Sequence, residues 1–322
     1  MNAVCYAEGL TRTFPSDKTE IKAVDNVSFS VEPGEILAIV GLNGAGKTTL
    51  LRMCATLLEP TSGTLHIDGI DARSHPYRAR RSIGLSFGGD RGFYPKASVS
   101  ENLLFFADLA AVPHRELRSE VSRVLSLVNL EAKASSAANT LSRGQYQRLH
   151  IARALLGEPK FVILDEPTSG LDPNVALRLR SLIASIAATG TAILMSSHSM
   201  EEVAELATRV LLMRSSRIIA RGSVADIVTA AGLKQVSETV LGAEAQPDYD
   251  SLLKVEGISY VHRRPHGSKW LLSAYWSDYC EQAEKQYLSI LRTPLPQSVA
   301  LHSHREPDLQ DAFLFLSRED AE

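Results

Sequence analysis

The sequence predicts an α/β domain built on a parallel sheet with an antiparallel edge sheet, followed by a small α+β domain. Three observations carry this. From residue 1 to about residue 232, short β-branched apolar runs alternate with longer helical stretches, the pattern of strands buried on both faces between helices. The two earliest runs lie instead beside turn-like and polar residues, which suits an antiparallel edge. Beyond residue 235 the order becomes strand, strand, helix, strand, helix.

The elements follow in chain order. Residues 3–14 and 27–31 are the two early runs, with PSDK and DN between them and PG after the second as turn-like or polar neighbours. The central sheet is predicted from EILAIV, IGLSFG, FVILDE, TAILMSSH, RVLLM and RIIARG, each apolar and short enough for a buried strand. Residues 242–248 (GAEAQPD) turn small and polar, so the junction is set near residue 235, giving domains 1–235 and 236–322. The second domain is read as strands at 258–262 and 270–275, a helix over 278–292 with Ala283, Tyr287, Leu288 and Leu291 at helical spacing, a strand at 298–302 and a helix over 308–316. No internal repeat is present.

Composition narrows the function classes. With 322 residues, 44% hydrophobic and 22% charged, the chain holds about two domains with ample core, and disorder is excluded. Lys plus Arg number 34 against 37 Asp plus Glu, a net charge of −3. No basic field exists to hold a nucleic-acid backbone, so no nucleic-acid partner is expected. Cys5, Cys54 and Cys280 lie far apart without metal-ligand spacing, which fits a reducing compartment. The most apolar stretch, 103–112, carries Asp108 and is shorter than the ~18 residues a membrane span needs. The opening MNAVCYAEGLTRTF lacks a basic region followed by an apolar core. A cytoplasmic location is expected.

Directly after EILAIV comes Gly41-Leu42-Asn43-Gly44-Ala45-Gly46-Lys47-Thr48-Thr49, then a helical pattern from Leu50. This is the P-loop spacing in its strand, loop, helix setting. The glycines let backbone N–H groups converge on phosphate oxygens, and the helix N-terminus adds its positive dipole end. Lys47 supplies a charge at the β and γ phosphates, and the Thr48 hydroxyl can ligate Mg²⁺. The run Phe161-Val162-Ile163-Leu164 ends in Asp165-Glu166. A carboxylate pair at such a strand end faces the ligand: Asp165 can hold Mg²⁺, and Glu166 can take a proton from an attacking water. ATP and Mg²⁺ are the implied cofactors.

Between these motifs lies Leu141-Ser142-Arg143-Gly144-Gln145, followed by a helical run. On its own it reads as a helix start with Ser142 as N-cap. The order of P-loop, this segment and acidic strand makes the chain resemble an ATP-binding-cassette ATPase, the nucleotide-binding subunit of an ABC transporter. The resemblance implies a P-loop cassette with a parallel core sheet, an antiparallel β subdomain and a helical subdomain. It further implies that Ser142, Arg143, Gly144 and Gln145 reach the γ-phosphate of ATP held by a partner ATPase subunit, a second copy of the chain being expected and a paralogue the alternative. Asp172, in Ser169-Gly170-Leu171-Asp172, resembles the residue communicating between the two sites of the dimer. His198 resembles the switch histidine at the γ-phosphate, making Glu166, His198 and Lys47 the expected catalytic set. Phe14 resembles the aromatic that stacks on adenine, with an edge-strand core residue as the alternative.

The resemblance also implies a polytopic membrane permease as partner, with the chain peripheral on the inner face of the membrane. Gly92-Phe93-Tyr94-Pro95 to Ser100-Glu101-Asn102-Leu103 resembles the segment docking on that partner, where exposed aromatics need cover. Pro307-Asp308-Leu309-Gln310-Asp311-Ala312-Phe313-Leu314 resembles the tail of drug and antibiotic exporter ATPases. The rival reading is a soluble cassette protein acting on ribosomes or DNA, against which stand the single cassette and the acidic balance. Two departures from the family appear: Gly88-Gly89-Asp90-Arg91 where a Gln is usual, with Asp90 as its expected substitute, and Arg143 where Gly is common, its side chain expected to point away from phosphate. His302 and His304 are read as solvated loop histidines, and His262, Arg263, Arg264 and Lys269 as a basic hairpin tip.

Overall fold

The computed structural model describes residues 3–15, 20–87, 92–245, 247–291 and 299–318. Gly88, Gly89, Asp90 and Arg91, including the expected Gln substitute Asp90, lie outside the described residues. The chain divides into two compact units, Met1–Ser223 and Val224–Glu322.

In the first unit, β1 (Cys5–Phe14), β2 (Ile21–Val31), β4 (Ser62–Ile67) and β5 (Ile70–Asp71) form an antiparallel sheet in the order β2-β1-β4-β5. Its first two strands are the early runs; β2 begins six residues before the predicted start at Val27. The second sheet orders β10 (Arg217–Gly222), β9 (Arg209–Arg214), β3 (Ile36–Gly41), β8 (Ala192–Ser196), β7 (Phe161–Asp165) and β6 (Ile83–Ser86) side by side. These are the six predicted runs. All but β10 pair in parallel. The expectation of a parallel strand at RIIARG is corrected: Ser215 and Ser216 both take positive φ, 46° and 71°, and such a two-residue turn folds β10 back on β9 with a twist that suits a hairpin.

Strand β3 is buried at every residue, and with Leu50, Leu51, Ile67, Phe161 and Leu194 it fills the core between the two sheets. Each such Leu or Ile contributes roughly 1.5–3 kcal/mol on burial. Cys5 and Cys54, distant in sequence, meet in this core as free thiols. Burial first, and the Cys54 hydrogen bond second, push the Cys5 thiol well up. Helices α1 (Lys47–Cys54), α2 (Pro76–Arg80), α6 (Pro173–Ala188) and α7 (Met200–Leu206) accompany the sheets, while α3 (Val99–Leu109), α4 (Leu117–Leu127) and α5 (Arg143–Ala154) pack together as a helical layer. Helix α3 starts at a reciprocal cap: Glu101 N–H donates to Ser98 Oγ at 3.1 Å and Ser98 N–H to Glu101 Oε2 at 2.7 Å.

The second unit holds α8 (Val224–Ala230), β11 (Gln235–Leu241), α9 (Tyr249–Leu253), β12 (Ile258–His266), β13 (Lys269–Trp276), α10 (Glu281–Leu291), β14 (Val299–Arg305) and α11 (Leu309–Leu316). Its sheet is antiparallel in the order β12-β13-β11-β14. Trp276, Tyr287, Leu272 and Leu252 fill its core. Where the sequence set a junction near 235, the contacts divide at Ser223, because α8 packs on α11. Residues 242–248 are the connection from β11 to α9 inside this unit. The predicted basic tip is the β12–β13 turn, where the Arg263 guanidinium lies 3.7 Å from the Trp270 ring centre. His302 and His304 are not on a loop: both lie on β14, and both touch Glu284. No helix among the described residues is long and apolar enough to cross a membrane.

Candidate functional site

The site gathers at the C-terminal ends of β3, β8 and β7. Strand β8 runs between the other two, with Ile39 and Asp165 both in register with Ser196. The loops after these strands therefore share one edge of the sheet, where ligands of open α/β sheets bind.

After β3 the chain turns through Leu42, Asn43 and Gly44, all exposed, and the buried Ala45 into α1. Gly44 and Gly46 take φ of 84° and 100°, conformations L side chains avoid. At Gly46 an added Cβ would lie 2.1 Å from the Ala23 carbonyl oxygen, so the loop closes against β2 only with glycine there. Gly46 is the N-cap of α1 and offers no side-chain cap, leaving first-turn N–H groups for an anion. Lys47 is buried, and its Nζ donates to the carbonyls of Gly41 at 2.7 Å and Leu42 at 3.1 Å. Burial lowers the Lys47 pKa, against the opposing pull of Glu166 and Asp165. Thr48 is exposed and Thr49 half-buried at the helix start.

At the end of β7, Ser196 Oγ donates to Asp165 Oδ1 at 2.5 Å and accepts from the Glu166 N–H at 3.1 Å. Glu166 is held at φ 48°, a left-handed conformation that stores roughly 1–3 kcal/mol of strain at a non-glycine residue. Its Oε2 lies 3.4 Å from His198 Nδ1, two residues past β8. Behind this pair, Ser197 Oγ donates to Glu202 Oε2 at 2.5 Å and accepts the Ser199 N–H at 3.0 Å. Burial pushes the Glu202 carboxyl up, partly countered by that hydrogen bond. Ser196, Ser197 and Glu202 are site residues that sequence reasoning missed; the signal was a hydroxyl pair at the end of TAILMSSH, meaningful only once the register with Asp165 is known.

Ser142 caps α5 reciprocally with Gln145: the Gln145 N–H reaches Ser142 Oγ at 3.4 Å, and the Ser142 N–H reaches Gln145 Oε1 at 2.9 Å. Among the described residues, the contacts of this segment run to the loop after β7 and to the start of α6, not to the P-loop. Arg143 Nη2 donates to the Ser169 carbonyl at 3.0 Å and packs on Gly170, while a Cβ on Gly144 would lie 2.5 Å from Val175 Cγ1. Asp172 sits exposed at the N-cap of α6 without a side-chain cap bond. Phe14 is half-buried at the last residue of β1, paired with Ile21 at the first residue of β2, and the Arg12 guanidinium covers it at 4.7 Å. Of the docking segment, Phe93 is buried against Phe106, Tyr146 and His150, correcting its expected exposure. Tyr94 and Phe105 stay 55% and 43% exposed and stack edge to face at 5.3 Å.

The chain is similar to known proteins. A family described as ABC transporter matches residues 24–169. The chain is 36% identical over 217 residues to the ABC transporter ATP-binding protein NatA of Bacillus subtilis, covering 67% of this chain and 88% of that one. It is 31% identical over 301 residues to the Nod factor export ATP-binding protein I of Cupriavidus metallidurans, covering 91% and 92%. It is 37% identical over 225 residues to the methionine import ATP-binding protein MetN of Carboxydothermus hydrogenoformans, covering 68% and 66%. Among solved structures it resembles a post-hydrolysis dimer of the ATP-binding cassette MJ0796 bound to ADP and Pi, with TM-score 0.62 and 26% identity over 68% of this chain and 98% of that one.

Proposed function

The chain belongs to the ABC transporter ATP-binding proteins and is an ATPase of that family, and from that premise we propose that it works as a dimer driving a separate membrane permease, with export as its direction. One observation carries the dimer: in the segment Ser142 to Gln145, Arg143 bonds the loop after β7, Gly144 faces Val175 of α6, and Ser142 and Gln145 cap each other, so among the described contacts none reaches the P-loop of the same chain. A phosphate on Gly41 to Thr49 would be completed by that segment from a second copy. The ADP-bound and Pi-bound cassette dimer among the similar structures supports the reading.

In this reading Phe14 stacks on adenine. Lys47 exchanges its two carbonyl partners for the β and γ phosphates, and His198 donates to the γ-phosphate. A water oxygen attacks the γ-phosphorus while the bond to the β,γ-bridging oxygen breaks; the water proton goes to Glu166, and ADP and phosphate leave. Glu166 then contributes about 10² to 10⁴ in rate. The Thr48 hydroxyl and Asp165 carboxylate are the kind of oxygen donors Mg²⁺ takes, and the ion would neutralise phosphate charge there. Asp172, exposed beside Arg143's contact, passes the state of one site to the other. The ATP-binding domain read from the sequence as 1–235 corresponds to the unit that ends at Ser223, and the accessory domain read as 236–322 to the unit that begins at Val224.

The exposed Tyr94 and Phe105 form the permease-docking ledge, which would hold the chain on the cytoplasmic face of the membrane. Export is favoured because the likeness to the Nod factor export protein runs through both units, while that to the methionine import protein covers 68% of the chain. The test is copurification of the tagged chain from detergent-extracted membranes. A stoichiometric polytopic protein is expected, lost in Tyr94→Ala/Phe105→Ala while the ATPase rate of the isolated chain is unchanged. Recovery of ribosomal or DNA-repair proteins, with the chain absent from membranes, would contradict the reading.

A further inference from the structure

In the second unit, His302 and His304 alternate along the edge strand β14 and so face the same side of the sheet. On that side α10 presents Glu284. His302 Nε2 lies 2.8 Å and His304 Nε2 2.9 Å from a single oxygen, Glu284 Oε1, and the three ligand atoms all fall within 4.8 Å of one another. We propose that these three side chains form a binding site for a borderline divalent metal ion of the zinc class, with an open fourth position for water.

The surroundings fix each ligand. Strand β11 pairs with β14 so that Thr239 stands opposite His302 and Ser237 opposite His304. Their hydroxyls meet the other ring nitrogens, Thr239 Oγ1 to His302 Nδ1 at 2.8 Å and Ser237 Oγ to His304 Nδ1 at 3.2 Å. Both Nδ1 atoms are thus occupied and both Nε2 atoms are aimed at the carboxylate. The hydroxyls are anchored in turn: Tyr287 OH lies 3.1 Å from Thr239 Oγ1, and Trp276 Nε1 donates to Ser237 Oγ at 2.8 Å. The remaining carboxylate oxygen, Glu284 Oε2, accepts from Tyr279 OH at 2.6 Å. Ring orientation set by a hydrogen bond on the distal nitrogen is how proteins prepare metal-binding histidines.

A metal would need both Nε2 atoms unprotonated, with Nδ1 carrying the N–H and donating to Thr239 and Ser237, an arrangement that rotating hydroxyls permit. Ligands at ~2.0–2.1 Å from a tetrahedral ion stand roughly 3.3 Å apart, so the present 2.8 and 2.9 Å contacts need open by only about half an ångström. The side chains of Glu284, His302 and His304 are 13%, 17% and 35% exposed, leaving a path for the ion and for a bound water. Two imidazoles and one carboxylate suit Zn²⁺, Co²⁺, Ni²⁺ or Cu²⁺ and not Mg²⁺. The ion would tie the edge strand β14 to α10.

The test titrates the full chain, stripped by a chelator and kept in excess Mg²⁺, with Zn²⁺ alone and then with Co²⁺ alone. Expected are one saturable Zn²⁺ per chain, a thermal midpoint that rises with Zn²⁺ and falls back on chelation, and visible Co²⁺ bands of four-coordinate intensity. His304→Ala, at the most exposed ligand, and Glu284→Gln each weaken Zn²⁺ binding by at least ~10-fold, and Thr239→Val by about 10- to 100-fold. Absence of saturable binding would overturn the proposal. So would equal affinity in wild type, His304→Ala and Glu284→Gln with circular dichroism showing all three folded.

Discussion

Ser196 is the hinge of the candidate site, and Ser196→Ala tests it. The hydroxyl gives Asp165 Oδ1 a 2.5 Å hydrogen bond and takes a 3.1 Å bond from the Glu166 N–H. The second bond is partly redundant, because the same N–H also reaches the Ser196 carbonyl at 3.1 Å. The first is a bond to a charged acceptor, worth about 1.5–3 kcal/mol. If that energy is expressed in the transition state, at about 1.4 kcal/mol per decade it lowers kcat roughly 10- to 100-fold. Because the lost bond holds Asp165, the Mg²⁺ concentration for half-maximal rate should rise, whereas the KM for ATP should change little. Steady-state ATPase assays across Mg²⁺ and ATP series read both quantities, with Ser196→Thr as the variant that keeps the hydroxyl and restores the rate. A Ser196→Ala enzyme within twofold of wild type and with unaltered Mg²⁺ dependence would refute the reasoning.

Two further outcomes follow from the P-loop. Lys47 has a pKa lowered by burial, while Glu166 and Asp165 partly restore it. Phosphate binding needs the charged amine, so ATP binding takes up a proton at alkaline pH and affinity falls as pH rises through the lowered pKa. In Glu166→Gln one restoring charge is gone and the fall begins at lower pH; a nucleotide titration that stays flat into the ordinary lysine range would disprove this. Gly46→Ala places a Cβ 2.1 Å from the Ala23 carbonyl at φ 100°, whereas Gly44→Ala at φ 84° meets nothing within 4 Å. Both carry backbone strain of about 1–3 kcal/mol. Thermal melts should show a clearly larger loss for Gly46→Ala, with ATP binding abolished; equal melts would contradict the packing argument.

Much of this fold is legible in the residues because buried parallel strands must be continuous Val, Ile and Leu runs, as in β3, β7, β8 and β9. The direction of β10 was not, since its turn uses Ser215 and Ser216 rather than the Asn-Gly or Asp-Gly pair that announces such a hairpin. Strands β4, β5 and β11 also escaped, being short or half polar. In the site, Lys47, Thr48, Asp165 and Glu166 stand in local motifs whose spacing carries their chemistry. Ser196 acquires meaning only from the cross-strand register with Asp165, which no local pattern encodes. Likewise Glu284 reaches His302 and His304 across a helix-to-strand connection, so the histidines looked solvated when read alone. Arg143 packs on Ser169 and Gly170, a contact that the local sequence does not announce.

In the proposed mechanism two copies of the chain close around ATP, the P-loop of one against Ser142, Arg143, Gly144 and Gln145 of the other. The most direct measurement is sedimentation velocity of Glu166→Gln with and without ATP, alongside its turnover. Expected are a monomer without nucleotide, a stable dimer holding two ATP molecules when ATP is present, and hydrolysis slowed by about 10²-fold or more. A Glu166→Gln chain that stays monomeric in saturating ATP and turns over at the wild-type rate would contradict both the sandwich and the role of the carboxylate.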